Sequence, residues 1–179
     1  TGHTGLLALI GSPVGHSGSP AMYNYSFEKL GLDYAYVAFD IKVEEVKAAL
    51  DAMRLFHMRG CNVTMPCKTE AAKYMDELSP AARIIGAVNT IVNEDGKLIG
   101  HMTDGEGFVG NLRDHGIEIK GKKITVAGGG GAATAIQVQC ALDGAREISI
   151  FNIKDDFFER TLETAEKIRK EVPGIVVNV

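Results

Sequence analysis

Four consecutive glycines, Gly128-Gly129-Gly130-Gly131, stand between an apolar run at 124–127 and a helical stretch from Gly131 to Asp143. This strand–turn–helix order constrains the fold more than any other feature. Gly128-x-Gly130-x-x-Ala133 fits the G-x-G-x-x-A form of a dinucleotide fingerprint. A pyrophosphate is bulky and doubly charged. It needs backbone N–H donors at a helix N-terminus and no side chains in the way. The alternative is a tight strand-to-helix turn that binds nothing.

A second strand, Glu147–Phe151, ends beside Asn152, where such a fold reads the ribose. Asp155 lies 24 positions past Gly131, close to the roughly 20-residue spacing of an acid that bonds the ribose 2′-hydroxyl. Asp156 stands beside it, and Lys154 is the only nearby cation able to meet a 2′-phosphate. Both acids could equally cap the next helix, 155–171. A further strand opens at 175–179. A dinucleotide fold needs two βαβαβ halves, and only the first precedes Val179. The chain is therefore expected to be a fragment or to continue.

The N-terminal part also alternates strand and helix, which predicts a mostly parallel sheet. Leu6–Ile10 reads as a buried strand. Ser19-Pro20 reads as an N-cap followed by proline at the first helical position. The helix then places Met22, Tyr23, Ser26, Phe27 and Leu30 on one face and closes at Gly31. Tyr34–Ile41 is aromatic and β-branched, hence a strand. Val43, Val46, Leu50 and Met53 recur at helical spacing. A strand at Gly60–Thr64 and a short helix at Thr69–Asp76 follow. Two further runs, 88–93 and 97–102, flank Glu94-Asp95-Gly96 as a hairpin. A helix spans 105–115. The expected architecture is α/β: a three-layer α/β substrate domain over residues 1–104, then a Rossmann-like dinucleotide-binding domain over 105–179, present as its first half.

Composition removes several classes. Acidic residues (23) exceed basic ones (19) without a basic block, so nucleic acid is not an expected partner. No apolar run approaches the ~20 residues that cross a bilayer. Three cysteines lack metal-type spacing, so no metal is expected, and they suggest a reducing cytoplasm. The first residue is Thr1 rather than methionine, which suggests a trimmed or tagged start.

Two short stretches carry ionisable groups at the ends of apolar runs: Asn62-Val63-Thr64-Met65-Pro66-Cys67-Lys68 and Thr103-Asp104-Gly105. Lys68 can hold or give a proton and Asp104 can accept one. A proton-transfer pair and a dinucleotide turn suggest hydride chemistry on a small hydroxylated substrate. The bland readings are a surface lysine for Lys68, a helix cap for Asp104, and filler for Cys67. A cation is disfavoured at a helix start, which speaks against the first.

Taken in order, Gly11-Ser12-Pro13, His16-Ser17-Gly18-Ser19-Pro20, the Asn62–Lys68 stretch, Gly86-Ala87-Val88-Asn89-Thr90, Thr103-Asp104-Gly105 and the glycine turn with Ala132-Ala133 resemble the shikimate dehydrogenase family, including its quinate/shikimate dehydrogenase branch. The resemblance implies reversible reduction of 3-dehydroshikimate to shikimate by NADP or NAD. It implies that Ser17 and Ser19 bind the substrate carboxylate and that Asn62, Thr64, Asn89 and Asp104 hold ring hydroxyls. Lys68 is then the catalytic group, beside Asp104. Gly128, Gly129, Gly130, Gly131, Ala132, Asn152, Lys154 and Asp155 are the implied cofactor contacts. Ser17 and Ser19 could instead be helix caps, and Asn62 and Asn89 turn residues.

Two positions depart from the family pattern. Met102 replaces the usual asparagine before Thr-Asp-Gly. Ile153 replaces the arginine that NADP-preferring members carry, which makes NAD a contender. Three other readings stay open: an NAD-preferring quinate/shikimate dehydrogenase, a non-catalytic ligand-binding fragment, and a similar dehydrogenase for another small alcohol or imine. Quinate is a further candidate substrate, and the pattern leaves room for a homodimer.

Overall fold

The apolar run near the N-terminus becomes β1 (Gly5–Gly11), the strand on which the first sheet is built. The computed structural model describes residues 1–154 and 158–179. The chain divides into two units, Thr1–Ser79 with Gly86–His101, and Pro80–Ile85 with Met102–Val179.

The first unit holds β1, β2 (Tyr34–Asp40), β3 (Gly60–Val63), β4 (Glu77–Leu78), β5 (Thr90–Glu94) and β6 (Lys97–His101), in the order β2-β1-β3-β5-β6-β4. β1 runs parallel to β2 and β3, whereas β5 is antiparallel to both β3 and β6. The reversal between β5 and β6 comes from the two-residue turn Asp95-Gly96. Both residues have positive φ (51° and 95°), as a type I′ hairpin requires. The Asn93 Oδ1 accepts the Gly96 N–H at 2.8 Å.

Alternate residues of β1 feed two different layers. Leu7 and Leu9 face α1 (Ser19–Leu30), which packs on them through Tyr23 and Phe27. Tyr23 stacks on Tyr36 of β2 with ring centroids 4.5 Å apart. On the other face lies α2 (Val46–Leu55), preceded by a 3-10 turn at Val43–Glu45, with Val46, Leu50 and Met53 buried. Leu6, Ile10 and Cys61 line an apolar hollow of about 370 Å³ with Leu50, Met53 and Phe56. The result is a helix–sheet–helix sandwich.

The second unit holds a three-stranded parallel sheet of β7 (Lys123–Ala127), β8 (Glu147–Phe151) and β9 (Val176–Asn178), in that order. Helices α6 (Gly131–Leu142) and α7 (Phe158–Glu171) connect them. This βαβαβ series is the first half of a dinucleotide-binding fold. Helix α5 (Asp104–Asp114) lies on α6. A Cβ at Gly105 would strike the Ala135 carbonyl, so the two helices touch backbone to backbone there.

Several local expectations change. Ser19 is the first residue of α1 and not its N-cap; Gly18 holds that place, and the Ser17 Oγ accepts the Ser19 N–H at 3.2 Å. Met22 and Leu30 are exposed, so the expected face of α1 narrows to the half-buried Tyr23, Ser26 and Phe27. The helix after β3 is α3 (Lys68–Ala72), shorter than the pattern implied, because Asp76 instead accepts the Leu98 N–H at 2.7 Å and leads into β4. Helix α4 (Pro80–Ile85) was not foreseen. It is too short for a periodic signal and rests on α6 and α7. The expected helix start at 155 and the ribose-reading Asp155, with Asp156, lie outside the described residues. Among the described residues no helix is long and apolar enough to cross a membrane.

Candidate functional site

The first unit gathers most of the expected substrate residues at one end of its sheet. Ser17 and Ser19 follow the carboxyl end of β1, Thr64 and Lys68 follow that of β3, and Asn89 precedes the antiparallel β5. Ligands of open α/β sheets bind beyond the carboxyl ends of the strands.

Backbone hydrogen bonds pin these loops to one another. The Thr64 N–H donates to the Ile10 carbonyl at 2.9 Å, and the Ser12 N–H to the Met65 carbonyl at 3.1 Å. A Cβ at Gly11 would collide with the Thr64 methyl, so the β1 and β3 ends meet closely. The Lys68 carbonyl accepts the Val88 N–H at 3.0 Å. The Asn89 N–H donates to the His101 carbonyl at 2.9 Å, while the Asn89 carbonyl accepts the Val63 N–H at 2.8 Å. Lys68 opens α3 and is partly buried. Beside it, the buried Cys67 donates to the Ile41 carbonyl at 3.6 Å. Burial, helped by Glu44 and Glu45, pushes that thiol up, the setting of a space-filling residue and not of a nucleophile.

Asn62 is differently engaged. Its Oδ1 accepts the Tyr36 hydroxyl at 2.8 Å, and its Nδ2 donates to the Thr90 Oγ1 at 3.2 Å and the Asn89 carbonyl at 3.4 Å. Tyr36 is 3% exposed, and Asn24 grips its backbone on both sides at 2.8 Å. Burial, then Tyr23 and Cys61, raise the Tyr36 phenol above its ordinary range, so it stays a proton donor. Asn62 thus braces the segment carrying Asn89. No local pattern marks Tyr36 for this role, because its partner lies 26 positions away.

Asp104 belongs to the second unit, where it opens α5 and is exposed.

The glycine turn lies in the same unit. Gly128 has φ 123°, a conformation that favours glycine, and its N–H donates to the Phe151 carbonyl at 2.7 Å, tying the turn to the end of β8. Gly129, an unspecified position in the fingerprint, is the sterically constrained one. A Cβ there would run into the Thr161 hydroxyl and the Asn152 amide. A Cβ at Gly130 or Gly131 would meet no described residue within 4 Å, which among the described residues leaves the space before α6 open to a phosphate. Ala132 is exposed at the same helix start.

Asn152 donates to the Thr161 Oγ1 at 3.1 Å, so its amide latches β8 to α7 behind the turn. Lys154 is exposed, with its ammonium 5.9 Å from the Phe158 ring centre, and Ile153 beside it is 75% exposed. Among the described residues no three His, Cys, Asp or Glu side chains gather as a metal would need.

Residues 9–91 match the family described as the shikimate dehydrogenase substrate binding domain. Shikimate dehydrogenase (NADP(+)) of Listeria monocytogenes is 54% identical over 171 residues, 96% of this chain and 59% of the relative. The crystal structure of shikimate 5-dehydrogenase from Listeria monocytogenes, in complex with shikimate and NAD, is similar with a TM-score of 0.95 at 52% identity, covering 99% of this chain and 61% of that one. A ligand-free 5-ketofructose reductase from Gluconobacter gives a TM-score of 0.89 at 31% identity, covering 98% of this chain and 61% of that one. The chain spans about three fifths of the length of the relatives it matches.

Proposed function

Because the chain belongs to the shikimate dehydrogenase family, we propose that its protein interconverts 3-dehydroshikimate and shikimate with a nicotinamide dinucleotide. Residues 1–104 take the substrate and residues 105–179 begin the cofactor domain. The reading is carried by the meeting of Ser17, Ser19, Thr64, Lys68 and Asn89 at one end of a single sheet.

The bound cofactor supplies or takes the hydride. The protein's part is binding, orientation and the proton. The hydroxyls of Ser17 and Ser19 receive the substrate carboxylate at the start of α1, where the helix dipole favours an anion. Thr64 and Asn89 take ring hydroxyls, and Asp104 accepts from a further one. Each such contact matters because an unmatched polar group in a closed site weakens binding. During reduction, negative charge grows on the substrate carbonyl oxygen; the Lys68 Nζ stabilises it and gives the proton. In the cofactor domain, the open space before Gly130 and Gly131 suits a pyrophosphate. With Ile153 at the end of β8, NAD stands beside NADP as the working cofactor. The three free cysteines suit a reducing cytoplasm.

The test is a steady-state assay of the whole protein with shikimate and with quinate, each against NAD and NADP. Shikimate oxidation with either cofactor supports the reading, and no oxidation of shikimate by any combination ends it. A quinate rate equal to or above the shikimate rate would move the protein to the quinate/shikimate branch. Lys68→Ala is expected to lower turnover by about 10²–10⁴-fold with the fold intact. Wild-type turnover in that variant would remove lysine from the proton transfer.

A further inference from the structure

Only four polar residues are classed as buried among the described residues: Thr134, Gln137, Thr161 and Thr164. All belong to the second unit, and three of them touch the glycine turn or the latch behind it. Two sit on α6, three positions apart and therefore on one face. The Gln137 Nε2 donates to the Gly128 carbonyl at 2.9 Å, and the Thr134 Oγ1 donates to the Gly129 carbonyl at 3.4 Å. Both carbonyls are thereby drawn toward the helix interior.

The peptide bonds after Gly128 and Gly129 are trans. In a planar trans peptide the C=O and the following N–H point in opposite directions. Drawing two successive carbonyls toward α6 turns the N–H groups of Gly129 and Gly130 away from it. Neither N–H has an acceptor among the described residues. Two adjacent donors turned the same way are what an anion cradle is made of.

Gln137 comes with a cost. It is fully buried, and its Oε1 has no donor among the described residues. A buried acceptor left without a donor destabilises the fold. Methionine would fill the same slot without that cost. What it lacks is the donor to Gly128.

We infer that Gln137 and Thr134 are positioning residues of the phosphate turn, holding two glycine carbonyls inward so that the Gly129 and Gly130 N–H groups stand ready for a pyrophosphate. The inference rests on the dinucleotide reading above and deepens it. Neither side chain touches the cofactor.

The experiment is binding calorimetry on the whole protein with ADP, which carries the pyrophosphate, and adenosine, which does not, together with thermal unfolding. Gln137→Met is expected to weaken ADP by about ten- to hundredfold, the loss of one charge-assisted hydrogen bond. Adenosine affinity stays unchanged and the Tm does not fall, since the unpaired buried acceptor is gone. Unchanged ADP affinity overturns the inference. So does a parallel loss of ADP and adenosine with a lowered Tm, which makes Gln137 an ordinary core residue. Thr134→Val, equal in shape, is expected to give a smaller loss confined to ADP, and stands as the deciding variant should Gln137→Met not fold. A wild-type protein that binds none of ADP, NAD and NADP removes the dinucleotide reading itself, a result separate from a failure of the variants.

Discussion

At the scale of single residues, Gly129 and Gly130 show how neighbours of one type serve different ends. Gly129 is wedged between Asn152 and Thr161, while Gly130 faces open space. Gly129→Ala is expected to destabilise the fold by about 1–3 kcal/mol through overpacking. Gly130, with φ −73° and ψ 175°, accommodates a methyl group, so Gly130→Ala should change stability by no more than about 0.5 kcal/mol. Urea unfolding of the pair checks this. Equal effects would mean that the Asn152–Thr161 latch yields freely. The run of four glycines was visible in the sequence, but its division of labour was not, since that depends on which side chains arrive from α7 and the end of β8.

At the scale of elements, a chain of contacts crosses the first sheet from its edge strand. Asn24 of α1 holds the backbone of Tyr36 on β2, and the Tyr36 hydroxyl reaches Asn62 on β3. Asn62 in turn holds Asn89 and Thr90 at the start of β5. Tyr36→Phe leaves the Asn62 Oδ1 without that donor, and Asn62→Ala leaves the phenol without its acceptor. Each is expected to cost about 1–3 kcal/mol. Because the two share one bond, the double variant should cost less than the sum, with a coupling of about 0.5–3 kcal/mol. Additive costs in a double-mutant cycle would show that the bond contributes nothing of its own. The alternation of strands and helices was legible here, as was the Asp95-Gly96 turn, because both are written in neighbouring residues. The cross-sheet bracing was not, since Tyr36 and Asn62 lie in separate strands with β1 between them.

At the scale of the whole molecule, the three cysteines link folding to alkaline pH. Burial pushes Cys61 up to about 12 and Cys140, with help from Asp143, up to about 11; Cys67 is raised as well. In the unfolded chain a thiol titrates near ~8.5. Between that value and the folded one, the folded state keeps the proton that the unfolded state has lost. Stability is therefore full below about pH 8.5 and falls as pH rises, at about 1.4 kcal/mol per pH unit for the deeply buried Cys61. Urea midpoints at pH 8 and pH 10 should show the decline, and Cys61→Ala should make it shallower, with Cys140 and Cys67 keeping the rest. A midpoint unchanged over that range would mean that the Cys61 thiol ionises as readily folded as unfolded.

The sequence by itself determined the α/β class, the hairpin that joins β5 to β6, the strand–turn–helix around the glycines and the kinds of polar side chain near the strand ends. These follow from period, turn chemistry and local motif, which act over a few residues. Only the tertiary structure decided that Asn62 braces its neighbour's backbone, that Gly129 is the crowded glycine, that α4 joins the second unit, and that Gln137 holds the turn from within. Burial and hydrogen-bond partners are set by segments far apart in the chain, and no local pattern encodes which of them will meet.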